Sequence, residues 1–278
     1  MAIGIEANAP VAPRVRRGRW LDSAWATRLW QLLATLGVLG VWQLVSTQGW
    51  VDPVISRTPA QVFGYLKTAA GNGELWTNTV DTMAAVFISL ILAAVVGVIG
   101  GVALGLLPRV ERVVSPMLDA LNAMPRIALA PVFIVWLGIG IEAKVALAFS
   151  VVVFVILSSA RAGVHAADPE VIRFSQIMGA TKVQLFFKVL LPVSVPSIFA
   201  GLRLGLVYAM LGVIGSELIA SQSGLGQRIA YYSGTYELQN VYGVLIVLAL
   251  IATVLNILMG AIERWLLRWQ APTSAGAH

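Results

Sequence analysis

The side chains that could do chemistry in this sequence are few, and most of them interrupt apolar runs. Asp119, Asn122 and Arg126 follow one another at i, i+3 and i+7, a spacing that puts all of them on one face of a helix. An ionisable group inside a membrane is costly, so it normally faces the protein interior and marks a pathway. Arg126 follows Pro125. Its planar fork can hold an anion through two parallel hydrogen bonds. An internal ion pair with Asp119 or Glu217 would satisfy the same guanidinium and is the plainer account. Glu217 is the second candidate, with Arg126 or Arg203 as its possible partners. Tyr208, Met210 and Ser216 lie near enough along the chain to line the same cavity. Asp168 and Glu170 do not read as an acid–base pair, because a helix cap accounts for Asp168 without chemistry.

Other chemistries lack residues. The chain has no cysteine and only 2 histidines, His165 and His278. Disulfides, thiolate nucleophiles and histidine metal sites are therefore not expected. No motif joins the serines and carboxylates, so no catalytic residue and no metal site is assigned. There is no G-x-x-x-x-G-K-[ST] phosphate loop, so ATP hydrolysis by that route would need another chain.

The elements that must position these residues are membrane helices. The 278 residues are 58% hydrophobic and 12% charged, with a mean hydropathy of +0.84. A soluble domain is nearer 45–50% apolar and about 25% charged. Apolar runs at roughly 29–45, 81–107, 115–138, 142–160, 197–221 and 240–265 each approach the ~20 residues that cross a bilayer. Pro125 and Pro131 interrupt the third. The expected fold is an all-α integral membrane protein with six transmembrane helices. A basic tail over 1–27, a membrane domain over 28–269 and a short tail over 270–278 complete it. Trp42, Trp50 and Trp136 read as interfacial anchors.

The formal charge is +6 and the pI about 10. The basic residues flank apolar runs, so orientation explains them better than nucleic-acid binding does, and none is expected. With the N-terminus inside, Arg14, Arg16, Arg17, Arg19, Arg28, Arg109, Arg112, Arg161, Arg173, Lys182, Lys188, Arg264 and Arg268 share one side. Arg57, Lys67, Lys144 and Arg228 share the other. The positive-inside rule then places both termini in the cytoplasm. Gly97, Gly101 and Gly105 repeat at every fourth residue, as do Gly201 and Gly205, followed by Gly212 and Gly215. Such spacing predicts close helix contacts.

Between the fourth and fifth runs lies DPEVIRFSQIMGATKVQLFFKVLLPVSVP. Asp168-Pro169 predicts a helix start, with the carboxylate as cap and proline at the first helical position. Val171, Phe174 and Met178 share one face, and Glu170, Arg173 and Ile177 another. Gly179 ends this helix. Thr181 with Gln184 is a capping box for a second one. Pro192 and Pro196 are expected to stop that second helix and return the chain to the membrane. The product is a helical hairpin at the cytoplasmic surface, within a segment spanning 161–196.

Gly179 to Pro192, G-x9-V-L-L-P, resembles half of the signature of membrane subunits of bacterial binding-protein-dependent ABC importers. The resemblance runs from about Ile55 to Trp269 and includes ISRTPAQVF, NAMPRIALAPVFIVWLGIG, GSELIA, SGLGQRI and ERWLLRW. It is strongest toward the branch serving sulfonates, taurine, nitrate and thiamine-precursor pyrimidines.

What the resemblance implies is a type I importer permease in the bacterial cytoplasmic (inner) membrane, with the hairpin as coupling helix. A homodimer of this chain would form the pathway, and the chain itself is expected to carry out no covalent chemistry, so not to be an enzyme, and to hold no cofactor. ABC ATPase subunits, carrying ATP and Mg, would dock on Asp168, Glu170, Arg173, Phe174, Met178, Gly179, Ala180, Thr181 and Pro192. An extracytoplasmic binding protein would deliver a small organic or inorganic anion. Asp119, Asn122, Arg126, Tyr208, Ser216 and Glu217 would line the pathway, with Glu217 of GSELIA at a gate or subunit contact. The family signature opens Glu-Ala-Ala where this sequence has Arg173, Phe174 and Ser175. Arg126 also stands where the family more often has an apolar residue or a proline. The alternative is a self-sufficient secondary transporter or channel. It predicts inverted repeats and paired intramembrane charges, and no clear repeat is present.

Overall fold

The computed structural model describes residues 24–48, 52 and 56–268, all helices and connections with no strand among them. The tail up to residue 23, Trp50, and residues 269–278 lie outside the described residues. The chain divides into two units, Met1–Pro59 and Ala60–His278. In the first, α1 (Ala24–Thr47) is an apolar helix that starts inside the segment expected as tail. Trp42 Nε1 donates to the Arg57 carbonyl at 2.9 Å, and the Ser46 hydroxyl shares that acceptor.

The second unit follows α2 (Pro59–Gly71) with α3 (Glu74–Leu106), α4 (Pro108–Ala123), α5 (Ala130–Leu137), α6 (Ile141–His165), α7 (Pro169–Ile177), α8 (Lys182–Leu185), α9 (Leu191–Ile219), α10 (Leu225–Gly234) and α11 (Leu238–Leu266). Among the described residues of the two units together, five helices are long and apolar enough to cross a membrane, or six if one bent pair counts as a single span.

That bent pair corrects the third expected span. α4 and the helix from Arg126 to Leu137 meet at 80°. Pro125 explains the break: it lacks a donor and forces the residue before it out of the helical region. Met124 accordingly sits at φ −72°, ψ 132°. A short 3-10 turn, Arg126–Leu129, leads into α5.

α6 is the centre of the unit, clasped between α3 and α9. Leu147, Val152 and Ile156 on α6 are fully buried. Lipid is as apolar as leucine, so close packing rather than hydrophobicity has to hold such helices together. Glycine permits it. A Cβ on Gly97 would stand 3.0 Å from Ile156 Cβ, and one on Gly105 2.8 Å from Val164 Cβ. A Cβ on Gly101 would run into the Leu157 carbonyl and stand 2.8 Å from Ala160 Cβ. On the other side of α6, Gly201 meets Ser159, Gly205 meets Val152 and Gly212 meets Ala148. Gly215 faces open space, so the second seam ends before it.

The fifth expected span is longer than its apolar run. α8 passes through a π-helical turn (Phe186–Leu190) straight into α9, so one helical rod covers Lys182–Ile219, 38 residues. At 1.5 Å per residue that is about 57 Å, well beyond a hydrocarbon core of about 30 Å. Pro192 and Pro196 therefore do not stop the chain, contrary to expectation. Leu191 N–H bonds Phe186 O, five residues back. This wider turn carries the ladder past the point where the Pro192 ring would crowd the carbonyl four residues earlier.

Candidate functional site

The hairpin before that rod is built from complete caps. Asp168 Oδ1 accepts from the Glu170 N–H at 2.8 Å, with Pro169 opening α7. Gly179 has φ +84°, where a Cβ would be strained. Around it, Gly179 N–H bonds Gln176 O and Ala180 N–H bonds Ser175 O, both at 3.0 Å. These are the paired bonds of a Schellman ending. Thr181 Oγ1 accepts from Gln184 N–H at 3.2 Å, and Gln184 Oε1 accepts from Thr181 N–H at 2.9 Å. Each end of α7 and the start of α8 is thus capped by a side chain or by main-chain bonds. Its side chains are a different matter. Phe174, Ile177, Met178, Val183 and Phe187 are all at least 60% exposed. Glu170 and Arg173 are exposed as well. The expected 161–196 segment takes in more than the hairpin, since 161–165 end α6 and 191–196 begin α9.

The foot of α6 is tied to α4 beside this hairpin. Glu111 lies 3.2 Å from His165 Nε2 and 3.7 Å from Arg161 Nε. Arg161 also donates to Ser115 Oγ at 2.9 Å.

Arg126 does not do what its spacing suggested. Asp119 and Asn122 are exposed on α4, but the helix ends before Arg126, so the shared face is lost. Among the described residues Arg126 pairs with neither Asp119 nor Glu217. Its guanidinium lies 4.1 Å above the Phe154 ring and donates to two main-chain carbonyls, Leu121 O at 2.6 Å and Ser150 O. It fastens the broken end of α4 to α6.

Glu217 finds a partner the spacing did not suggest. Its carboxylate accepts from Lys144 Nζ at 2.9 Å, Gly226 N–H at 2.8 Å and Thr82 Oγ1 at 3.0 Å. Lys144 donates in addition to Ser223 O at 2.7 Å. Thr82 Oγ1 accepts from Leu225 N–H, and Asn78 Oδ1 from Gly224 N–H, each at 2.9 Å. Side chains from α3, α6 and α9 together hold the 220–224 connection and the start of α10, at the end of α9 far from the hairpin. Gly224 has φ +108°, and a Cβ there would collide with the Glu217 carboxylate. Arg203 pairs with Glu263 and Asn256 instead of Glu217. Ser216 is buried with its hydroxyl unpartnered, whereas Tyr208 is 38% exposed.

Nearby, the Tyr232 hydroxyl donates to Glu74, whose carboxylate is 3.3 Å from Arg228. Burial and the Glu74 carboxylate both push the Tyr232 phenol upward, keeping it a proton donor.

The profile of the family described as "Binding-protein-dependent transport system inner membrane component" matches residues 93–271, which include the hairpin, both glycine seams and Glu217. The chain belongs to this family. It is a permease subunit of an ABC importer, a multi-pass membrane component. The permease is 30% identical over 267 residues to the taurine transport system permease protein TauC of Escherichia coli K12, covering 94% of this chain and 96% of that one. It is 33% identical over 264 residues to the riboflavin transport system permease protein RibX of Chloroflexus aurantiacus, with the same coverages. A putative aliphatic sulfonates permease of Bacillus subtilis is 26% identical over 239 residues, 86% of this chain and 87% of that one. Among solved structures, an inward-facing MetNI methionine ABC transporter chain superposes with a TM-score of 0.62 at 23% identity, covering 69% of this chain and 95% of that chain. That likeness supports the fold. Nothing in these matches favours a self-sufficient secondary transporter.

Sequence reasoning missed Lys144, Thr82 and Asn78 in the permease. Lys144 was read only as a topological charge. Its one local signal was a lysine set inside an apolar run, and its acidic partner lies 73 positions away.

Proposed function

We propose that ATPase subunits dock on the α7–α8 hairpin of the permease and drive import of a small organic anion, a sulfonate or taurine-like solute. A second copy completes the pathway, an extracytoplasmic binding protein delivers the solute, and both termini face the cytoplasm. One observation carries the docking reading: a fully capped hairpin with exposed Phe174, Ile177 and Met178 runs without a break into the 38-residue rod. A rod passes on a push that a loose loop would absorb. Lys182 in the hairpin, Lys188 in the turn after it and the excess of basic residues on the same side support the orientation. The names of the Escherichia coli and Bacillus subtilis relatives support the solute class.

Two experiments separate the parts. The permease is co-expressed and purified with its ABC ATPase subunit, as wild type and as Phe174→Asp. Loss of the ATPase from the Phe174→Asp preparation supports docking; equal recovery overturns it. Arg173→Glu in the same assay reports whether Arg173 takes part in the contact. The binding protein that serves the permease is then titrated with taurine, alkanesulfonates and riboflavin. Binding of riboflavin without any sulfonate overturns the solute class and leaves the docking result standing.

A further inference from the structure

α9 and α11 are not closed against each other along their length. A cleft of about 400 Å³ runs between them, walled by Leu206, Met210, Ile214, Leu248, Ala252 and Leu255. It continues into a polar compartment of about 340 Å³ that includes Gly260 and Arg264. Arg203, Thr253 and Asn256 border both, so the two are one continuous feature with an apolar length and a basic end.

The charges at that end are unevenly matched. Arg203 donates to Asn256 Oδ1 at 3.0 Å and lies 3.5 Å from Glu263, which takes up its charge. Arg264 makes no ion pair among the described residues, and Arg268 follows it one turn on. The site is therefore net positive even with Glu263 counted. Trp265, next to Arg264, is 66% exposed. Exposed tryptophan beside arginine at a helix end marks the headgroup level of a bilayer.

We propose that this cleft binds an anionic phospholipid, with an acyl chain between α9 and α11 and the phosphate against Arg264 and Arg203. The shape is that of one amphiphile: an apolar slot ending in a cationic pocket. A helix of a second copy fits less well, because an apolar helix would cover Arg264 with hydrocarbon and leave its charge uncompensated. Basic pockets between membrane helices recognise anionic headgroups in this way.

The test uses the full-length permease in nanodiscs of equal phosphatidylglycerol and phosphatidylcholine, with retained lipid read by native mass spectrometry. Wild type is expected to retain phosphatidylglycerol selectively. Arg264→Gln should lower that selectivity about fivefold, the effect of one basic contact at a charged headgroup. Ala249→Trp, which fills the cleft from an exposed position on α11, should remove both lipids. Equal retention of the two lipids by wild type overturns the proposal, as does unchanged retention in both variants. A photoreactive side chain at position 249 that cross-links to a second copy rather than to lipid overturns it too.

Discussion

Lys144 Nζ stands 2.9 Å from Glu217 Oε1, and both side chains are closed to solvent, at 4% and 0% exposure. The pair joins the start of α6 to the end of α9; Lys144 also holds Ser223 in the connection after α9, and Glu217 holds Gly226 at the start of α10. Removing one partner leaves a buried charge without compensation, which costs about 3–5 kcal/mol. Lys144→Met is therefore expected to lower the unfolding temperature of the purified permease sharply. Lys144→Met with Glu217→Gln should recover most of the loss, because both charges are then gone. A double-mutant cycle in thermal unfolding measures the coupling; additive effects would deny it.

The α3–α6 seam makes a second prediction. Gly101→Ala drives a methyl group into the Leu157 carbonyl and Ala160, and is expected to destabilise by about 1–3 kcal/mol. Gly100→Ala, whose new methyl would stand 3.5 Å from Leu157 Cδ1, should be tolerated. Thermal unfolding of the two variants side by side decides it, and similar losses in both would rule out a seam specific to Gly101.

Arg126 is expected to act on stability rather than on the solute. Its bonds to two carbonyls and its place over Phe154 predict a loss of about 2–3 kcal/mol for Arg126→Ala. Uptake kinetics of reconstituted transporter should show the KM unchanged. A raised KM with normal stability would return Arg126 to the pathway.

In the hairpin, caps and surface should separate. Thr181→Ala removes one side of the capping box, about 1 kcal/mol. Hydrogen exchange over 182–190 should then quicken about fivefold, one RT-scaled kilocalorie in an opening equilibrium. Phe174→Asp should leave that exchange unchanged, since Phe174 is 64% exposed and caps nothing. Faster exchange in Phe174→Asp would show that it supports the hairpin itself.

Much of this architecture was legible because its causes are local. Apolar runs near 20 residues, the charges that flank them, and caps within a few residues of their acceptors all depend on neighbours in sequence. Asp168, Gly179 and Thr181 were readable for that reason, and so were the glycine repeats as contact surfaces. What only the tertiary structure decided depends on partners far away or on competing local rules. Pro192 carries an ordinary helix-stop signal, yet a π turn lets the rod continue. Pro125 carries a similar signal and does break its helix. Arg126 and Glu217 read as polar residues inside the membrane that need partners, but those partners, Ser150 and Lys144, come from a helix whose position along α9 and α4 is set by packing. Sequence determines that a membrane charge needs a partner; the close approach of α6 determines which one it gets.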